Sequence, residues 1–303
     1  MRNELVLISW GGIGDVLVCT PTIRALKEQD PERDIVVYCM KKNHLEVLAN
    51  NPHIDSLRYL HWKSMWKYPY HLYAYLFNKK LVNYTVFSFQ HVDPPNLYSK
   101  SIKHIAADIF DITLEKDDNE IYLLAEEQAW AKEKLKEYKK VVLMHVHSRV
   151  APNHLWEIEK WNELVKSLPE YTFIQIGFKD EAKVEGAIDW RGKTTLREAF
   201  SLMSQADGFI GVDAGMSHVS NAFGTPGVVL FGDSSPVFWG HSNNINIYKN
   251  VPCSPCYYYL WKYRCVYNHE CMKLITVEEV RGALVSQMEK NNLNLHKTQQ
   301  YAV

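Results

Sequence analysis

The stretch Gly11-Gly12-Ile13-Gly14-Asp15 sets one carboxylate where an apolar run, LVLISW (5–10), gives way to an amphipathic segment reaching about Gln29. A strand, a glycine turn and a helix in that order form the place where open α/β sheets hold ligands, outside the carboxyl ends of their strands. Two nucleotide motifs fail here. A dinucleotide fingerprint needs a glycine at position 17, which is Leu17, and a phosphate loop needs Gly-Lys-Ser/Thr where the chain reads Gly14-Asp15-Val16. An acid at a helix N-terminus would also oppose an incoming phosphate. Two readings of Asp15 stay open: a cap that accepts backbone N–H groups, or a carboxylate presented as a general base.

A second chemistry-bearing turn lies in GFIGVDAGMSHVSNAFGTPGVVLFG (208–232). An apolar strand ends at Asp213, small residues Ala214 and Gly215 follow, and Ser217 and His218 fall in the first turn of a helix. Small residues let the backbone approach a ligand, and the free N–H groups of a helix start favour an anion such as a diphosphate. His218 could add a hydrogen bond or a positive charge there. The plainer reading is a capped helix with a satisfied histidine.

Six cysteines are unevenly spread, and Cys253, Cys256, Cys265 and Cys271 crowd into 19 residues. A Cys-x2-Cys pair with two further cysteines has the spacing of a tetrahedral thiolate site, zinc or sometimes iron. Free thiols and disulfides are the alternatives, and His269 is a substitute ligand. Four thiolates would leave a metal no open position, so it would shape a loop and take no part in the chemistry.

The elements that must position these residues follow a βα rhythm. Strands are expected at 5–10, 34–39, 56–60 and 84–89, with another at 121–124, and helices at 15–29, 44–50 and 96–110. After a charged helix, EEQAWAKEKLKEYKK (126–140), the rhythm resumes with strands at 141–148, 171–177, 208–212 and 227–232 and helices at 159–167, 195–206 and from Met216. A last helix is expected at 277–289. Strands spaced by helices imply a parallel sheet covered on both faces. The expected organisation is an N-terminal Rossmann-like domain over 1–130, a second over 131–290 and a polar tail over 291–303.

Composition narrows the function classes. With 303 residues, 47% of them hydrophobic, the chain can bury a sizeable core. Lys plus Arg number 34 against 35 acids, a balance that argues against nucleic acid as a partner. No apolar run approaches the roughly 18 to 20 residues of a membrane span. The segment 61–81 carries seven aromatics and four lysines with no acid. It reads either as a packed helical insertion or as a surface facing an acceptor or anionic headgroups.

GDVLVCTPTIRALK (14–27) resembles the opening of the ADP-heptose:lipopolysaccharide heptosyltransferases, glycosyltransferase family 9. RGKTTLREAFSLMSQADGFIGVDAGMSHVSNAFGTPGVVLFGDSSP (191–236) resembles the C-terminal signature of that family, and Trp156, Trp161 and Leu164 resemble a preceding Trp-x4-Trp-x2-Leu segment. The resemblance implies a GT-B fold, two Rossmann-like domains facing across a cleft, and a metal-independent inverting transfer of a sugar, expected to be heptose, from a nucleotide-sugar donor, expected to be ADP-heptose. It makes Asp15 the catalytic base. It assigns donor binding to Gly14, Arg149, His154, Gly177, Asp213, Ala214, Gly215, Met216, Ser217 and His218. His154 stands where many members carry a lysine that contacts the donor, and Arg149 is the nearest replacement charge. Cysteine clusters after the signature occur in a subset of these enzymes, including ones with an iron-bound finger. No catalytic cofactor is implied. The acceptor would be a glycolipid such as the lipopolysaccharide core, another glycan or a protein, and the expected location is cytoplasmic, peripheral to the inner membrane. A nucleotide-sugar epimerase and an inactive sugar-nucleotide binding protein are the competing readings.

Overall fold

The computed structural model describes residues 4–9, 11–61, 84–86, 99–148, 152–256 and 265–300. The aromatic and basic segment lies outside them from residue 62 onward. The chain divides into two compact units, Met1–Leu124 and Ala125–Val303. Among the described residues no helix is long and apolar enough to cross a membrane.

The first unit runs β1 (Glu4–Ser9), α1 (Ile13–Leu17), α2 (Thr20–Gln29), β2 (Asp34–Cys39), α3 (Lys42–Leu48), β3 (Ser56–Tyr59), β4 (Tyr84–Val86) and α4 (Ile102–Asp108). Its strands form a parallel sheet in the order β3-β2-β1-β4. The chain therefore leaves β1 toward β2 on one side, while β4 pairs on the other. The turn after β1, Gly11-Gly12, and the start of α1 that carries Asp15 sit at that reversal, the place where such sheets open a crevice. The helix expected over 15–29 is broken into α1 and α2 at Val18–Cys19. Pro21 explains the break: it lacks an N–H and is tolerated in the first turn of a helix, which is where α2 places it.

The strand expected at 121–124 is absent. Side chains of α2 hold the neighbouring chain instead. Thr20 Oγ1 accepts the Glu120 N–H at 2.8 Å, Arg24 pairs with the Glu120 carboxylate, and Tyr122 donates its hydroxyl to that carboxylate at 3.0 Å.

The second unit runs α5 (Ala125–Leu135), β5 (Val141–His145), a 3-10 turn (Pro152–His154), α6 (Ile158–Lys166), β6 (Thr172–Gln175), β7 (Ile188–Asp189) and α7 (Leu196–Gln205). It continues with β8 (Gly208–Val212), α8 (Gly215–Ala222), β9 (Gly227–Phe231), α9 (Pro236–Trp239), β10 (Asn244–Tyr248), α10 (Glu270–Lys273) and α11 (Val277–Gln300). Six parallel strands lie in the order β10-β9-β8-β5-β6-β7. Every residue of β8 and β9 is buried, as expected of strands covered on both faces. Trp161 is fully buried, and Trp156 meets it edge-on at 4.8 Å while donating Nε1–H to Ile275 O at 3.0 Å. Residues 291–300, expected as a tail, continue α11 to Gln300, and no proline or glycine between 290 and 300 stops the helix.

Here too the strand order reverses at the first strand, with β6 on one side of β5 and β8 on the other. The loops after β5 and β8 flank this reversal, and the second of them carries Asp213. Close strand packing depends on Gly211, paired with His145: a Cβ there would lie 2.5 Å from His145 O and 2.8 Å from the Phe209 ring. Gly211→Ala is expected to cost about 1–3 kcal/mol through overpacking. Urea unfolding measures this, and wild-type stability in the variant would show that the sheet accommodates the methyl group.

Candidate functional site

In the first unit the site is built on Gly11. Its φ is +90°, a conformation that favours glycine. A Cβ there would fall 2.1 Å from Asp15 Oδ2. The carboxylate occupies the space a side chain would need, and it accepts the Gly12 N–H at 2.5 Å. On the other side of the turn the Gly11 carbonyl accepts Lys41 Nζ at 2.5 Å and lies 3.2 Å from Nε2 of the buried His44. Gly14 is buried beneath the turn, whereas Asp15 stays half-buried. Burial, reinforced by the Asp15 charge, pushes the Cys19 thiol up. The cap reading is correct as geometry: the Asp15 carboxylate accepts a backbone N–H at the start of its own helix.

In the second unit Asp213 is buried, with Oδ2 accepting the Ser234 hydroxyl at 2.5 Å. Ala214 caps α8 without any side-chain hydrogen bond, and its carbonyl accepts both the Ser217 N–H at 2.9 Å and the Ser217 hydroxyl at 2.7 Å. Gly215 opens the helix and Met216 is buried in its first turn. Burial pushes the Asp213 carboxyl up, against the pull of the His154 charge and the Ser234 hydroxyl.

His154 is committed to the protein at both ring nitrogens. Nδ1–H donates to Asp213 O at 2.8 Å, and Nε2 pairs with the Asp233 carboxylate. Burial lowers its pKa, but the hydrogen bond and charge of Asp233, with the charge and carbonyl of Asp213, outweigh this and raise it. The ring ties the 3-10 turn to the loops after β8 and β9. Arg149 lies outside the described residues. Gly177, at φ +137°, leaves space for Glu181, whose Oε2 would lie 2.1 Å from a Cβ there. His145 and His147 each approach the Glu181 carboxylate at 3.8 Å. Burial and neighbouring His147 push His145 down to about 4. His218 is buried, with Nδ1 at 2.7 Å from Nε2 of His241.

Asp233, Ser234, Glu181 and His241 were not singled out by the sequence reading. Asp233 and Ser234 had a signal, since they directly follow an apolar strand in VVLFGDSS, just as Asp213 follows GFIGV. His241 lies in no recognisable pattern.

Cys253, Cys256, Cys265 and Cys271 are free thiols. Cys256 is pushed up to about 12 by burial, by Asp233 and by the other three cysteines, and Cys271 up to about 11 by burial first. The Cys256 N–H donates to Asp233 O at 2.7 Å, so this loop is anchored to the one that holds His154. Thiol sulfur held in low-dielectric surroundings, as at Cys256 and Cys271, is the donor chemistry a thiophilic cation relieves. Among the described residues, however, no three His, Cys, Asp or Glu side chains are gathered into a metal-binding group.

The sequence profile of glycosyltransferase family 9 (heptosyltransferase) matches residues 87–266, more than half of the chain. The chain belongs to glycosyltransferase family 9. It is a glycosyltransferase of the GT-B class, with two Rossmann-like units. No curated protein matches it by sequence. Solved structures do resemble it. A glycosyl transferase family 9 protein from Veillonella parvula superposes with a TM-score of 0.73 at 16% identity, covering 95% of this chain and 97% of that one. ADP-heptose lps heptosyltransferase II of E. coli gives 0.70 at 16% identity, covering 95% and 99%. The iron-containing dodecameric glycosyltransferase TibC of enterotoxigenic E. coli gives 0.68 at 17% identity, covering 95% and 77%. Within this family 9 chain the signature residues Asp213 to His218 and the buried His154 share one end of the second sheet.

The raised pKa of His154 means that the folded protein holds this proton more tightly than the unfolded chain. The resulting stabilisation is complete below the unfolded value of about 6.5 and is lost as pH rises through the folded value. Asp233→Asn is expected to cost about 3–5 kcal/mol at pH 6 by leaving a buried charge without its partner. It should also flatten the pH dependence above 6.5. Urea unfolding across pH 6 to 9 tests both, and equal stability of the two proteins at pH 6 would show that the His154–Asp233 pair does not stabilise the fold.

Proposed function

We propose that this chain transfers a sugar, heptose as the first choice, from a nucleotide-sugar donor to a hydroxyl group, with inversion at the anomeric carbon. The observation that carries the reading is positional: the carboxylate of Asp15 and the Asp213–His218 turn each stand at the strand-order reversal of their own parallel sheet. Membership of family 9 and the fold shared with ADP-heptose lps heptosyltransferase II support heptose and ADP-heptose as donor sugar and donor.

In the proposed reaction Asp15 takes the proton of the acceptor hydroxyl. The oxygen attacks the anomeric carbon as the bond to the diphosphate oxygen breaks, and the nucleoside diphosphate leaves with the electron pair. Backbone N–H groups at the start of α8, together with His218, stabilise the negative charge that develops on the diphosphate. His154 acts from behind, holding the Asp213 carbonyl so that the turn keeps its shape. The acceptor is a glycolipid such as the lipopolysaccharide core, another glycan or a protein.

Asp15→Asn is expected to leave donor affinity nearly unchanged while lowering turnover about 100-fold or more, the scale of a lost general base. Undiminished activity would reduce Asp15 to its cap role. Thermal shifts with ADP-, GDP- and UDP-sugars should single out the ADP form, because a ligand bound only by the folded protein raises its melting temperature. Stabilisation by another nucleotide alone would reassign the donor. Product analysis without acceptor, showing an isomerised sugar nucleotide, would replace transfer by epimerisation.

The four clustered cysteines are proposed as ligands of a structural zinc or iron ion, in keeping with the iron named for TibC. Elemental analysis of purified protein should find about one equivalent, and less than about 0.2 equivalents would leave them as free thiols.

A further inference from the structure

His241 lies between α9 and β10, outside every residue discussed as part of the transfer, yet it faces the signature histidine. His218 Nδ1 and His241 Nε2 are 2.7 Å apart, both side chains are buried, and the rings meet edge-on at 85° with centroids 4.9 Å apart. Trp239 closes another side of His218 at 5.7 Å. The loop that delivers His241 is tightly set. A Cβ at Gly240 would fall 2.3 Å from Pro236 O and 2.8 Å from Asn246 Nδ2, and the His241 carbonyl accepts the Asn244 N–H at 3.2 Å and the Asn246 side-chain amide at 3.3 Å.

A hydrogen bond between two imidazoles needs one N–H and one lone pair, so the proton positions of the two rings are coupled. If His218 Nδ1 is the donor in a neutral pair, its Nε2 carries a lone pair, which repels an anion. If His241 Nε2 is the donor, His218 Nδ1 accepts and the remaining proton stands on His218 Nε2, ready to meet an oxyanion. Two fully protonated rings would set N–H against N–H across this short separation, so the pair holds at most one positive charge.

We propose that His241 is a positioning residue that donates to His218 Nδ1 and thereby makes His218 Nε2–H a donor toward the diphosphate of the nucleotide sugar. The inference rests on the reading of the α8 turn as the diphosphate site.

The test compares ADP affinity by calorimetry, and donor KM against kcat, in wild type, His241→Leu, His241→Gln and His218→Ala. His241→Leu should weaken ADP binding about tenfold, the scale of one hydrogen bond to a charged group. His241→Gln, whose amide can still donate to His218 Nδ1, should recover most of that loss. Nitrogen-15 spectra of the wild-type histidine rings with ADP bound should show His218 protonated at Nε2 and accepting at Nδ1. This measurement stands even if a substituted protein does not fold. A proton found on His218 Nδ1 alone overturns the proposal. So does unchanged affinity in His241→Leu alongside weakened binding in His218→Ala, which leaves the donor site intact. Unchanged affinity in both variants overturns the donor-site reading together with the proposal.

Discussion

The second unit is organised around one buried histidine. His154 reaches Asp213 through its carbonyl and Asp233 through its carboxylate, so a single side chain joins three loops that the sheet only brings to the same edge. Without the ring, the Asp213 carbonyl and the buried Asp233 carboxylate would each lose a polar partner in a medium of low dielectric. With it they become a framework. The Ser234 hydroxyl on Asp213 and the Cys256 N–H on Asp233 O extend that framework outward in both directions. The start of α8 is therefore fixed from behind by charge, and its open side is left to backbone N–H groups and small residues.

The first unit reaches a comparable result by local means. Its turn depends on a glycine with positive φ and on a carboxylate folded back over it, braced by Lys41 and His44 on the far side. Cap and base are compatible roles for Asp15. The hydrogen bond from Gly12 fixes the rotamer, and a fixed carboxylate is what proton abstraction from a bound hydroxyl requires.

Much of this was legible in the residues. Apolar runs separated by helical periodicity announced two parallel α/β units, because both the strand pattern and the crossovers are local signals. The turns that carry Asp15 and Asp213 were visible for the same reason, one at the start of the helix after β1 and the other directly after β8. The division of α1 from α2 was missed because amphipathic periodicity runs through Pro21 unbroken. The 121–124 segment misled because β-rich composition does not reveal whether a neighbouring strand is available to pair. His154 was placed on the donor by its alignment with a lysine, and the structure shows both ring nitrogens turned to Asp213 and Asp233. Such a role depends on partners 59 and, for the His218–His241 pair, 23 positions apart in sequence. No periodicity encodes contacts of that kind.

Gly11 and Gly177 share a peculiarity. In each unit a carboxylate oxygen, from Asp15 or Glu181, fills the volume that a methyl group would take at a glycine of positive φ. Glycine and acid are thus mould and cast. A side chain at either glycine would displace its acid, and a smaller residue in place of the acid would leave a void, whereas an isosteric amide would keep the fit. In a mutational library a larger residue at either glycine would be tolerated best where the paired acid has become smaller, so single-site scanning would register as invariance what is in part interlocking.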